Sequence, residues 1–234
     1  MKKEVLLFDV YGTLVDINTL ERKKNIWEQV KKEMEKQANR KIRKSAVRIR
    51  DLYFSLCQKE EKKNHLEYGE YDEISVFNQL FDLLQLSNVD AKGIARYYRE
   101  ISIEKLELFP NIEMVLAKLK ENYTLAILSN AQRMHVEKEI QAILPYFDYV
   151  FISGDYGCRI PAKEFYQIAL EKISCTTFTM IGDTVENDIL PAISLGGKAI
   201  QILSPYQEKS SVSLGYVDPF SYEQIFAVLE KKNA

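Results

Sequence analysis

Three places in the chain carry chemically capable side chains immediately after a short apolar run. The first is Val5-Leu6-Leu7-Phe8, which leads into Asp9-Val10-Tyr11-Gly12-Thr13-Leu14. The second is Leu125-Ala126-Ile127-Leu128, followed by Ser129-Asn130. The third is Phe178-Thr179-Met180-Ile181, followed by Gly182-Asp183-Thr184-Val185-Glu186-Asn187-Asp188. Asp9 has the chemistry of an oxygen nucleophile delivered to the rim of a sheet, or of a residue that opens a turn. Ser129 can donate to an anionic oxygen, or cap the helix that follows. The acids after Ile181 repel one another unless a cation or hydrogen bonds compensate. An all-oxygen cluster of this kind suits Mg²⁺, which keeps several waters and takes one or two carboxylates. A capped helix start would explain one of these acids, less comfortably three.

Two textures alternate around these places. From about Asp16 to Glu104 strand signals are nearly missing, and apolar residues recur at helical spacing: Ile26, Val30, Met34; Val47, Leu52, Leu56; Ile74, Phe77, Leu80, Phe81, Leu84. That spacing predicts four or five helices in a small bundle, with Glu67–Asp72 as a polar connection. From Leu106 onward strands at Thr124–Leu128, Tyr149–Ser153, Phe178–Ile181 and Ala199–Leu203 alternate with helices. The helices are expected near 112–120, 133–143, 163–173 and 187–195. Such alternation predicts a parallel, doubly wound sheet to which the first strand belongs. The expected architecture is therefore α/β, a Rossmann-like core from residues 1–15 and 105–234. An all-helical domain, residues 16–104, is inserted after the first strand, well placed to cover that strand's C-terminal end.

Composition narrows the functional class. Lys+Arg 32 against Asp+Glu 34 gives a net charge of −2, which carries no nucleic-acid footprint. The local basic excess over residues 22–63 reads as a solvated helix face, or as a surface for an anionic substrate or partner. Cys57, Cys158 and Cys175 lack the short paired spacing of a zinc site or disulfide framework, which fits a reducing compartment. No apolar run is long enough to cross a bilayer, and the first residues lack the pattern of a signal peptide. A cytoplasmic, soluble protein is expected. His65 and His135, both expected on helices, have no ligand pattern. Trp27, Tyr53, Tyr68, Tyr71, Tyr97 and Tyr98 either pack the helices or line a substrate cleft.

Asp9, Ser129 and Asp183 at three strand ends in chain order, with a helical block after the first, resemble the haloacid dehalogenase superfamily. The likeness spans essentially the whole chain and is to the branch whose helical cap lies between the first and second motifs. Asp9-Val10-Tyr11-Gly12-Thr13-Leu14 is similar to the first motif, Ser129-Asn130 to the second, and Gly182-Asp183 with Asn187-Asp188 to the fourth. The resemblance implies that Asp9 is the nucleophile of a covalent aspartyl intermediate. It implies Mg²⁺ on the Asp9 carboxylate, the Tyr11 backbone carbonyl and Asp183, with Asp188 assisting directly or from behind. It further implies a small phosphorylated substrate met by Tyr11, Gly12, Thr13, Asn130 and Arg159, with Ser129 holding a phosphoryl oxygen. A monomer or homodimer is expected, with no nucleic acid or membrane partner.

Two positions depart from the family pattern. Most of its phosphatases carry a general-acid Asp two residues after the nucleophile, where this chain has Tyr11. A phenol, with an ordinary pKa of about 10, can donate a hydrogen bond but is a poor base at neutral pH. Tyrosine there is similar to the 2-haloacid dehalogenases, whose halide leaves without a proton. The usual Lys before Pro falls in Arg159-Ile160-Pro161-Ala162-Lys163, where Ile160 replaces it. Lys163, about one helical turn along, is the candidate substitute, with Arg159 as the other cation. Three functions stay open: a Mg²⁺-dependent phosphatase for good leaving groups, a metal-independent dehalogenase, or a weakly active protein that binds a phosphorylated ligand or a partner.

Overall fold

The computed structural model describes residues 4–63, 65–203 and 208–231 of the 234-residue chain. The first apolar run forms β1 (Glu4–Phe8). Alternation along the strand sends Leu6 and Phe8 into one apolar cluster and Val5 and Leu7 into another. A strand buried on both faces needs no polar alternation, which is why the run is continuously apolar.

After β1 the chain passes through β2 (Val15–Thr19) into four helices: α1 (Lys24–Gln37), α2 (Ala46–Glu61), α3 (Glu73–Leu84) and α4 (Ala91–Ser102). It returns along β3 (Ile103–Leu108), which pairs with β2 as a separate two-stranded ribbon. Two compact units result, Met1–Ile17 with Leu106–Ala234, and Asn18–Lys105. The ribbon corrects the expectation that this stretch lacks strands. Both strands are short, half-exposed and broken by charges such as Glu104, Lys105 and Glu107. Their pairing comes from a partner distant in sequence, not from an apolar period of their own.

In the helical unit each helix packs on its sequence neighbour and α1 also packs on α4. Trp27, Tyr53 and Tyr98 fill the middle of the bundle, with ring centroids 5.0 Å apart for Trp27–Tyr53 and 4.9 Å for Trp27–Tyr98. These three are packing residues; Tyr68, Tyr71 and Tyr97 are half-buried. Ser45 caps α2 by accepting from the Arg48 amide, and Asp72 caps α3 by accepting from the Ile74 amide. The basic excess lies on solvated faces, where Lys24, Lys36, Lys41 and Lys63 pair with Glu28, Glu33, Glu35 and Glu60. His65 lies in the connection after α2 rather than on a helix.

The α/β unit continues with α5 (Ile112–Asn122), β4 (Tyr123–Ser129), α6 (Arg133–Glu139), β5 (Tyr149–Ile152), α7 (Lys163–Ile173) and β6 (Phe178–Gly182). A π-helical turn, Val185–Ile189, then runs into α8 (Leu190–Ser194), β7 (Lys198–Ile202), β8 (Tyr216–Val217) and α9 (Gln224–Lys231). The sheet order is β5-β4-β1-β6-β7-β8, with every pair parallel. Strands are laid down on one side of β1 and then on the other, so β1 sits at the topological switch where such sheets hold their ligands. The two-residue β8 is too short to leave a sequence signal. The expected helix near 133–143 ends at Glu139, ahead of a short 3₁₀ turn at Leu144–Tyr146 that contains Pro145. Among the described residues no helix is long and apolar enough to cross a membrane.

Candidate active site

Register brings the three sequence motifs to one edge. Phe8 lies beside Ile127 on one side and Ile181 on the other, so Asp9, Ser129 and Asp183 emerge together at the carboxyl ends of β1, β4 and β6. The Asp9 amide still donates to the Ile181 carbonyl at 3.0 Å, which ties the acid to the sheet. Beyond it the chain closes a tight turn, with the Leu14 and Val15 amides on the Val10 carbonyl at 2.7 and 3.0 Å. Gly12 takes φ +83° in that turn, and a Cβ there would overlap the Asp183 carboxylate. A Cβ on Gly182 would likewise overlap Asp188. Both glycines therefore hold room for carboxylates.

Oxygens of Asp9, Asp183 and Asp188 lie within 4.8 Å of one another. Asp9 and Asp188 are buried. Burial first, and the Asp183 charge second, push the Asp9 carboxyl up to about 7. The Ser129 hydroxyl opposes this by donating to Asp9 Oδ1 at 2.7 Å, and the Val10 backbone and the nearby Thr13 hydroxyl act in the same sense. Asp188 is raised well above the usual carboxylate range, by burial and then by Asp9. Its Oδ2 accepts from the Thr184 amide at 2.9 Å, which holds the side chain inside the π-helical turn. Asp9 at the end of β1 and Asp183 and Asp188 after β6 repel one another and form a site with a deficit of positive charge, while Glu186, the other acid after Ile181, is exposed and outside the cluster.

A cavity of about 180 Å³ opens on this cluster, lined by Asp9, Tyr11, Asn130, Ile160, Asp183, Thr184, Asn187 and Asp188. Ser129 is buried and spends its hydroxyl on Asp9. Asn130 lines the cavity while clamping the following loop: its Nδ2 donates to the Ile160 carbonyl at 2.9 Å and its Oδ1 accepts from the Ile160 amide at 2.8 Å. Ile160 is buried and presents an apolar wall where a cation was expected by resemblance. Lys163 begins α7 with an exposed side chain and does not line the cavity; Arg159, half-buried, does not line it either. The substitution of Lys163 for a motif lysine therefore finds no support, because the first turn of α7 turns buried Phe165 and Tyr166 inward.

Three further residues escaped the sequence reading. The Tyr166 hydroxyl contacts the Asp188 carbonyl at 3.3 Å and so braces the acidic turn from α7. Tyr222 is buried, and burial first, then the Asp9 and Asp183 charges, push its phenol well above the usual range and keep it protonated. Its hydroxyl and that of Thr13 have no full hydrogen bond among the described residues. Glu139, at the end of α6, accepts from the Tyr11 hydroxyl at 2.6 Å. Pairing across such sequence distances leaves no local signal.

The model of the haloacid dehalogenase-like hydrolases matches residues 3–196. The chain belongs to this hydrolase family. Glyceraldehyde 3-phosphate phosphatase of Methanocaldococcus jannaschii is 30% identical over 62% of this chain and 68% of its own length. N-acylneuraminate-9-phosphatase of Homo sapiens is 26% identical over 44% of this chain, and this chain spans only 43% of that relative. The 2-haloacid dehalogenase of Pseudomonas syringae pv. Tomato DC3000 shares the fold over 99% of this chain and 100% of its own, at TM-score 0.69 and 17% identity. This chain is thus a haloacid dehalogenase-like hydrolase whose relatives by name include phosphatases and whose fold is shared with a dehalogenase.

Proposed function

We propose that this hydrolase is a Mg²⁺-dependent phosphatase acting on a small phosphorylated metabolite through an aspartyl-phosphate on Asp9. The carrying observation is the convergence of Asp9, Asp183 and Asp188 at the switch of the sheet. An all-oxygen donor set fits a hard divalent cation better than a soft one. Asp9, Asp183 and the Tyr11 backbone carbonyl would hold it, with Asp188 direct or one layer behind. When bound, the ion supplies the positive charge that returns these carboxylates to their ionised form and offsets the phosphoryl oxygens.

The protein's own residues then divide the remaining tasks. Ser129, fixed on Asp9 Oδ1, sets the rotation of the carboxylate, so that Oδ2 is the attacking oxygen. Asn130 holds the Ile160 loop against the cavity. The Gly12 and Thr13 amides, expected to meet the substrate, are spent inside the turn on the Val15 and Val10 carbonyls at 2.8 and 3.3 Å, so these two residues shape the turn rather than line the cavity. Phosphatase names among the relatives support the same substrate class. A second reading, a metal-independent dehalogenase, is favoured by Tyr11 alone and has no use for Asp183 and Asp188.

Aryl and acyl phosphates with and without Mg²⁺, and 2-chloropropionate separately, decide between them. Phosphate release that requires Mg²⁺ and is lost in Asp9→Asn is expected. Halide release without metal, lost in the same variant, would replace the phosphatase by the dehalogenase. No turnover of either class would leave a ligand-binding protein, and metal-dependent release that survives Asp9→Asn would remove Asp9 as nucleophile.

A further inference from the structure

Tyr11 stands two residues after Asp9, where phosphatases of the family carry their general acid, and it is among the residues that line the cavity. Its proton, however, is already engaged: the hydroxyl donates to Glu139 Oε2 at 2.6 Å. That separation falls in the range of charge-assisted O–H···O⁻ bonds, and a phenol has one proton to give. Glu139 is the last residue of α6, where the negative end of the helix disfavours a carboxylate. It is half-buried and does not line the cavity, so the hydroxyl is directed toward α6.

We propose that Glu139 is a positioning residue that commits the Tyr11 proton, so that transfer of the phosphoryl group to Asp9 proceeds with no proton given to the leaving oxygen. This rests on the phosphatase reading and narrows its substrates to phosphoric esters and anhydrides whose leaving oxygen is stable as an anion. In the step itself the bond from Asp9 Oδ2 to phosphorus forms as the bond from phosphorus to the leaving oxygen breaks. The electron pair departs with that oxygen, which leaves as an oxyanion, and Tyr11 keeps its proton on Glu139. Donation from Tyr11 to the substrate would instead break the bond to Glu139 and strip a half-buried carboxylate of a donor.

The test is the dependence of kcat/KM on leaving-group pKa over a series of aryl and alkyl phosphates in Mg²⁺. A steep dependence is expected for the wild type, and an equally steep one for Tyr11→Phe whatever its absolute rate. Glu139→Ala releases the phenol proton, so the poorest leaving groups gain on the order of tenfold relative to the best. Adding Tyr11→Phe to Glu139→Ala restores the steep dependence. Glu139→Gln, of the same size and a weaker acceptor, gives an intermediate slope and serves if the alanine variant does not fold. A steeper slope in Tyr11→Phe than in wild type, or the wild-type slope in both Glu139 variants, overturns the proposal. Raman difference spectra, wild type minus Tyr11→Phe, report the phenol directly through the tyrosine doublet. A strong donor is expected in the wild type and not in Glu139→Ala; a phenol that does not donate in the wild type overturns the proposal. Since the spectra need no turnover, an intact donor signal in a protein that cleaves no phosphate would overturn the phosphatase reading and its leaving-group consequence, with the hydrogen bond itself upheld.

Discussion

Glu73 in the helical unit and Asp9 in the α/β unit are buried to similar degrees, with 5% and 9% of their surface exposed, yet their surroundings are opposite. Glu73 accepts from the Tyr53 hydroxyl at 2.8 Å. Burial, and then the Glu73 charge, push the Tyr53 phenol well above its usual range, so it stays a donor. Asp9 has the Ser129 donor, but it also faces Asp183 and Asp188. One arrangement pairs a buried charge with a donor and stabilises a bundle. The other gathers like charges and lowers the stability of the ion-free protein. A buried carboxylate is costly unless it is hydrogen-bonded, and more so beside others. The second arrangement makes physical sense where a cation completes it.

The strongest break in this comparison is functional. Asp9→Asn is expected to lower kcat on aryl phosphates by more than about a thousandfold, whereas Glu73→Gln changes it only a few-fold. Comparable losses in both variants would mean that the helical carboxylate is also part of the chemistry.

Next is the pH dependence of stability in the presence of a chelator. The Asp9 carboxyl titrates near 7 in the folded protein, well above its unfolded value. Between roughly pH 4 and 7 the folded state therefore binds more protons than the unfolded state, and stability falls as pH rises through that window. A loss of a few kcal/mol is expected from this cluster, fully present above pH ~7 and removed below pH ~4. Melting temperatures across the window check it. Mg²⁺ should raise Tm and flatten the slope, and Asp183→Asn should reduce it in part without Mg²⁺, burial of Asp9 sustaining the rest. A slope that persists unchanged in Asp183→Asn would contradict the repulsion described above.

A smaller effect follows from the packing of the glycines. Gly182→Ala places a methyl group against Asp188, and the half-saturating Mg²⁺ concentration is expected to rise about tenfold. Titration of the Mg²⁺-dependent shift in Tm measures it. The smallest change sharpens the other half of the comparison. Tyr53→Phe removes the donor to Glu73 and should cost about 1–2 kcal/mol in urea unfolding, with the catalytic rate unaffected. No cost would show that Glu73 draws its satisfaction from other groups.

Much of this protein was determined locally and can be read from the chain. Apolar runs such as Val5–Phe8 specify strands buried on both faces, helical spacing specifies the bundle, and a motif residue at the end of each run specifies Asp9, Ser129 and Asp183. Tertiary structure alone decided the rest. The β2–β3 ribbon exists because two half-exposed segments far apart in sequence meet. Lys163, the substitute cation suggested by the family resemblance, faces solvent because the apolar side of α7 claims the interior. Glu139 bonds Tyr11 because α6 ends beside the turn that follows β1, and no residue near either one signals it. The meaning of Tyr11 changes accordingly: by type it is a hydrogen-bond donor next to a nucleophile, and by position its proton is spent on Glu139. Periodicity and turn chemistry act over a few residues and survive in a sequence. Partners joined by packing across the sheet do not, because any two segments of suitable surface can be brought together only by the fold itself.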